Sequence, residues 1–229
     1  MGTDSSIDIA FEYLVQDERV KYLCNGTNKG LYRSRQNGMN VAISEYFCNL
    51  DADDVHASNA LQILMREARS FDADIVQMAM WRFGGEELTV QKNSILELPE
   101  GATFGLDIVR LFLGRKINFS VCNKLIRRSV WLKAREYLPK NDHISILEDL
   151  PQMAIYALFA DSYATTTEPL YGYRQVENSM SLDDVTETKH SVLAIKFVDF
   201  IKNLFFEKGI IEKLAYEWGC FEGVSSSNM

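Results

Sequence analysis

Tyr46-Phe47-Cys48-Asn49-Leu50-Asp51-Ala52-Asp53-Asp54 is an apolar run that stops in three carboxylates within four residues. A short β-rich segment ending this way reads as a buried strand, Tyr46 to Leu50, that delivers acidic groups to the rim of a sheet. In open α/β sheets that rim is where ligands bind. Hard divalent cations such as Mg²⁺ or Mn²⁺ take carboxylate oxygens, usually one or two of them together with substrate phosphates. The cluster therefore admits a cation–diphosphate site. It equally admits a solvated turn that starts the next helix, because Asp is common in turns and first helical turns. A calcium-binding helix–loop–helix does not fit. The places where such a loop needs another oxygen ligand, a glycine and a closing glutamate hold Val55, His56 and Gln62.

Outward from this stretch, helical and extended patterns alternate. Upstream, Asp4 or Ser5 caps a predicted helix running to about Gln16 with Ile7, Ala10, Phe11 and Leu14 on one stripe, Val20 to Cys24 predicts a strand, and Leu31 to Ala42 a polar helix. Downstream, Ser58 to Ser70 predicts a helix with Leu61, Leu64, Met65 and Ala68 inward, and Asp74 to Trp81 a strand. Leu88 to Leu98 reads as a β-excursion and Thr103 to Leu113 as a helix. Glu148 to Phe159 is the best amphipathic helix, with Glu148 and Asp149 where negative charge suits the helix dipole. Two short strands, Ser162 to Thr167 and Leu170 to Tyr173, flank Pro169, and the chain from about Glu187 is helical. Alternation with short connections is the pattern of an α/β protein with a mostly parallel sheet.

The 229 residues, 47% hydrophobic, suffice for a sizeable core in one domain, or in one domain with an appended subdomain. A net charge of −8 argues against a nucleic-acid backbone as partner, since that binding needs basic patches. Cys24, Cys48, Cys122 and Cys220 are widely spaced, with no CxxC pair, and read as reduced core residues of a cytoplasmic protein. The start is polar, and no run approaches a membrane span.

Residues 28 to 54 carry N-x-G-x-x-x-x-R, then Gln36-Asn37-Gly38, then Ala42-Ile43-Ser44-Glu45-Tyr46, then Leu50-Asp51-Ala52-Asp53-Asp54. Asp72-Ala73-Asp74-Ile75-Val76, Asn123-Lys124-Leu125-Ile126-Arg127-Arg128, Glu148-Asp149-Leu150 and Tyr171-Gly172-Tyr173-Arg174 with Ser179 follow in order. The ordered set, over roughly residues 3 to 180, resembles the family 2 glycosyltransferases of GT-A fold. Gln36 and Ser44 depart from the usual Asn and Gly. The resemblance implies a Rossmann-like, mostly parallel sheet flanked by helices over residues 1–180, with a C-terminal helical extension over 181–229. It also implies a missing N-terminal strand–helix–strand, and with it part of the nucleotide site and neighbours for the first strands.

The activity implied is inverting transfer of a sugar from a nucleotide diphosphate sugar, a UDP-sugar by expectation, to a glycan or lipid-linked acceptor in polysaccharide synthesis. Mn²⁺ or Mg²⁺ would neutralise the leaving diphosphate, and a carboxylate would take the acceptor proton. By the resemblance Asp53 is the metal ligand, Asp51 touches ribose or metal, and Asp54 caps the next helix. Asp149 is the base, with Glu148 able to exchange roles with it. Arg35 and Arg174 reach nucleotide or phosphates, against the plain reading of each as a surface arginine. Lys124, with Asn123, lines the sugar or acceptor side, against a structural turn. His56, His143 and His190 are scattered and incidental. The apolar arc of residues 192–206 is expected to pack on the catalytic domain or a dimer partner; the alternative lays it peripherally on the inner membrane face. The rival function is a catalytically inactive, truncated domain acting as an interaction module. A phosphotransferase or hydrolase lacks a nucleophile motif or P-loop.

Overall fold

The computed structural model describes residues 5–84, 101–140, 147–175 and 187–227. The chain divides into two compact units: the described residues through Ala42 with Lys140, and those of 43–139 and from Leu147 onward. In the first unit, α1 (Ser6–Gln16) buries no side chain and leaves Ile9, Phe11, Tyr13 and Val15 exposed. α2 (Gly30–Val41) buries Tyr32, Gln36 and Met39. The preceding loop is tied to it through Asn25, which donates to Ser34 Oγ at 2.8 Å and accepts from Asn37 Nδ2 at 2.7 Å. The strand expected over Val20–Cys24 does not form. A strand exists by pairing, and none of the described strands pairs with this segment; Tyr22 instead meets the Phe11 ring at 5.2 Å.

The second unit is built on a six-stranded sheet. In chain order the elements are β1 (Tyr46–Cys48), β2 (Val55–His56), α3 (Ala60–Ser70), β3 (Ile75–Phe83), β4 (Ala102–Phe104), α4 (Leu106–Leu113), β5 (Lys124–Arg127), α5 (Arg128–Ala134), α6 (Asp149–Phe159), β6 (Ser162–Arg174), α7 (Glu187–Glu207) and α8 (Ala215–Ser227). The sheet order is β1-β5-β3-β6-β2, with β4 also on β6. The α/β expectation holds, but the mostly parallel sheet does not. Among the described strands only β3 and β6 run parallel, and the other four pairings are antiparallel. β3 reads as a nearly continuous apolar run because it lies mid-sheet, with Ile75 through Ala79 buried.

Several expected boundaries move, each for a physical reason. Ser162 to Arg174 is one strand, not two. Pro169 lacks an N–H for the ladder, and the register against β3 shifts around Ala79, which it faces. The helix expected from Thr103 begins at Leu106, because residues 102–104 pair with β6 and Gly105, at φ 54°, turns the chain. On α3 the buried stripe is Ala60, Ile63, Leu64 and Ala68, while Leu61 is exposed. α6 is buried from Pro151 through Ala157, a central helix packed against α4, α5 and α7 rather than one with a single inner stripe. The segment 88–98 lies outside the described residues. Cys24 and Cys220 are exposed, contrary to a core role, and all four cysteines are free thiols. No helix among the described residues is long and apolar enough to cross a membrane.

Candidate active site

Strand directions gather the acidic residues. β1 leads into residues 49–54, and its antiparallel pairing sets Cys48 opposite Leu125, so the segment before β5 arrives beside the acidic turn. β3 pairs with β5 through Gln77 and Lys124 and continues in parallel with the end of β6. Residues 118–123, the Asp51–Asp54 turn and the Tyr171–Arg174 segment are thereby brought to one end of the sheet.

Within the turn the three carboxylates differ. Asp54 N donates to Asp51 O at 3.1 Å, closing the turn. Asp54 is buried, and its carboxylate accepts from the Tyr171 hydroxyl at 2.5 Å and from the Arg174 backbone N–H at 2.8 Å. It does not cap α3, whose N-cap is Asn59. Burial raises the pKa of Asp54, opposed by those two donors and reinforced by Asp53 and Asp51. Arg174 Nε donates to Asp53 O at 2.8 Å, and its guanidinium lies over the Phe83 ring at 5.2 Å. These bonds fasten the turn to β6 and leave the Asp53 side chain exposed and Asp51 half-buried. His56 packs edge-on against the Tyr171 ring, and burial lowers its pKa.

The segment before β5 supplies the link to Asp149. The Cys122 thiol donates to Asp51 Oδ2 at 3.4 Å, and Val121 N–H donates to Asp149 Oδ2 at 3.2 Å. Consecutive residues thus hold the acidic turn and the first residue of α6. Glu148, just before α6, is buried. Lys124 is wholly buried, and its ammonium donates to Asn118 O, Ser120 O and Asn123 Oδ1 at 2.7, 2.6 and 2.8 Å. Its three protons are all given to the protein, which favours the structural-turn alternative over a Lys124 that lines the sugar or acceptor side. Burial pushes its pKa down to about 7, with Asp149 and Cys122 pulling it back up. Asn123 Nδ2 donates to Met78 O at 3.0 Å. Arg35 lies half-buried on α2, in the other unit.

The donor chemistry fits a hard divalent cation held jointly with a ligand. No group of three or more His, Cys, Asp or Glu among the described residues could hold a metal alone. Asp51 and Asp53 offer the one or two carboxylates that Mg²⁺-type sites combine with phosphate oxygens. Sequence reasoning missed Cys122 and Tyr171 as partners of these carboxylates. Tyr171 stood in a quoted motif, but nothing local marks it as Asp54's donor.

A sequence profile described as glycosyl transferase family 2 matches residues 2–133. The chain is 31% identical over 140 residues to the cholesterol galactosyltransferase of Borreliella burgdorferi, covering 57% of this chain and 38% of that protein. It is 29% identical over 176 residues to EpsH of Bacillus subtilis, covering 76% and 49%. The chain spans no more than about half the length of the curated relatives it matches. In fold it resembles S. aureus TarS 1–349 in complex with UDP-GlcNAc, with TM-score 0.66 and 17% identity over 87% of this chain and 54% of that one.

Proposed function

The chain belongs to glycosyl transferase family 2, and from that premise we propose that it moves a sugar, with inversion, from a nucleotide diphosphate sugar to an acceptor hydroxyl in glycan synthesis. The fold shared with a protein solved with UDP-GlcNAc supports a UDP-sugar donor. One observation carries the reading. Asp149 and Asp51 are fastened to the neighbouring residues Val121 and Cys122, so a candidate base and a candidate diphosphate site share one scaffold.

Asp149 takes the proton of the attacking hydroxyl. It is the first residue of α6, and the Val121 N–H orients it for that task. Asp53 and Asp51 would hold Mn²⁺ or Mg²⁺, which would offset the negative charge of the departing diphosphate. Arg174, on the backbone of Asp53, sits where a guanidinium can meet a phosphate oxygen beside that carboxylate. Asp54 stays outside the chemistry and holds the turn in place.

Titration calorimetry with UDP, with and without Mn²⁺, tests the donor half. Mn²⁺ raises UDP affinity in the wild type, and Asp53→Ala removes the increase; equal enhancement in the variant refutes the ligand assignment. Asp149→Asn keeps Mn²⁺-dependent UDP binding and lowers the transfer rate by about 10²- to 10⁴-fold, the usual worth of a positioned base. Cation-dependent UDP binding by a wild type that transfers no sugar from any donor would favour the inactive domain instead.

A further inference from the structure

We propose that Lys124 is a positioning residue for both working carboxylates: by gathering Asn118 O, Ser120 O and Asn123 Oδ1 it fixes the 118–122 turn, which holds Asp149 through Val121 and Asp51 through Cys122. The inference rests on the reading of those carboxylates given above. A charged amine with no exposed surface is costly unless its protons are all accepted, and a methionine would fill the same volume without that cost. What methionine cannot do is give donors to the backbone carbonyls of Asn118 and Ser120.

The rest of the turn depends on this ammonium. Ser120 N donates to Asn118 Oδ1, and Cys122 N donates to Ser120 Oγ; both contacts stay inside the turn. Its ties to the sheet include the long 3.3 Å bond from Asn118 N to Gln77 Oε1, the 3.9 Å contact from Asn118 Nδ2 to Met80 Sδ and those made by Asn123 to Met78. Lys124, at the first position of β5, is therefore the joint between a rigid strand and the turn. The turn in its own right gives one donor to each of two carboxylates that come from opposite directions of the chain. An error in its position misplaces both together, which no substitution at Asp149 or Asp51 alone would do.

Hydrogen exchange of the full chain, read by mass spectrometry without ligand, tests this. Lys124→Met speeds exchange about tenfold, the loss of roughly one net hydrogen bond, in peptides covering 118–123, 50–54 and 147–150, and leaves β3 unchanged. The transfer rate falls about 100-fold, as misplacement of reacting groups does, while Tm shows the chain still folded. Faster exchange at 118–123 with 50–54 and 147–150 unaltered overturns the proposal, as does an unchanged turnover. Should Lys124→Met fail to fold, the Cys122 pair decides. Cys122→Ala speeds exchange at 50–54, whereas Cys122→Ser, which keeps a donor for Asp51, restores the wild-type rate. Equal exchange in wild type and Cys122→Ala overturns the proposal. A wild type that binds no UDP with Mn²⁺ sinks the sugar-transfer reading by itself, because the exchange experiment needs neither.

Discussion

Lys124 also leaves a pH signature of its own. Burial takes its pKa from 10.5 down to about 7, so across that window the folded chain has shed a proton that the unfolded chain holds, and the neutral amine keeps two donors for its three acceptors. Stability from this residue is lowest below pH 7 and grows as pH rises toward the unfolded value. Thermal unfolding of wild type and Lys124→Met at about pH 7 and about pH 9 should show the wild type gaining on the variant, as the linkage requires. A constant difference would mean that the three acceptors keep the amine fully protonated in the fold. The acidic turn and the Glu148-Asp149 pair were legible in the sequence because charge clusters and helix starts are local signals. The partners that give each carboxylate its own character were not. Cys122 lies 71 residues from Asp51, and Tyr171 lies 117 residues from Asp54. Nothing in a one-dimensional pattern says that Asp54 will be consumed by a tyrosine while Asp53 stays outward.

Elements were read well where their period was local and badly where pairing defined them. α1, α6 and the cores of β1 and β3 follow from apolar spacing and fall close to the expected positions, as does the polar helix α2. Val20–Cys24 has strand composition but no partner, and residues 102–104 have helix-compatible composition but a β6 edge to join. The parallel expectation failed for the same reason, since direction belongs to connections that cross the sheet. Gly172 shows how such pairing selects a residue. A Cβ there would stand 2.5 Å from Trp81 Cζ2 on β3 and 2.8 Å from Val55 Cγ2 on β2, so β6 can run between its neighbours at this point only without a side chain. Gly172→Ala should therefore cost about 1–3 kcal/mol, the usual penalty of overpacking. Chemical denaturation that finds the variant as stable as wild type would show that Trp81 swings aside freely. Because Gly172 lies between Tyr171 and Arg174, the same substitution should also weaken Mn²⁺-dependent UDP binding, through the loss of Asp54's two donors.

On the scale of the whole molecule, the C-terminal helices decide whether the broad apolar arc of 192–206 serves the protein's own core or a lipid surface. In the second unit Phe197, Val198, Ile201, Leu204 and Phe205 are buried on α7, which packs on α6 and α8. α8 brings Trp218 and Phe221, and Phe221 meets the Phe112 ring of α4 at 5.8 Å. What remains outward is sparse: Val192, Ile195 and Phe206. With a net charge of −8, the chain carries no net positive charge to draw it to an anionic membrane surface. Adjacent phenylalanines separate the two accounts, since Phe205 has no exposed surface and Phe206 is 68% exposed. Phe205→Ala should cost about 3–5 kcal/mol by opening a cavity under α7. Phe206→Ala should change stability by no more than about 0.5 kcal/mol, as exposed substitutions do. Flotation with vesicles containing anionic lipid should leave both wild type and Phe206→Ala at the bottom of the gradient. If the wild type floats and Phe206→Ala does not, the outer face of α7 is a membrane-binding surface and the helix has two duties rather than one.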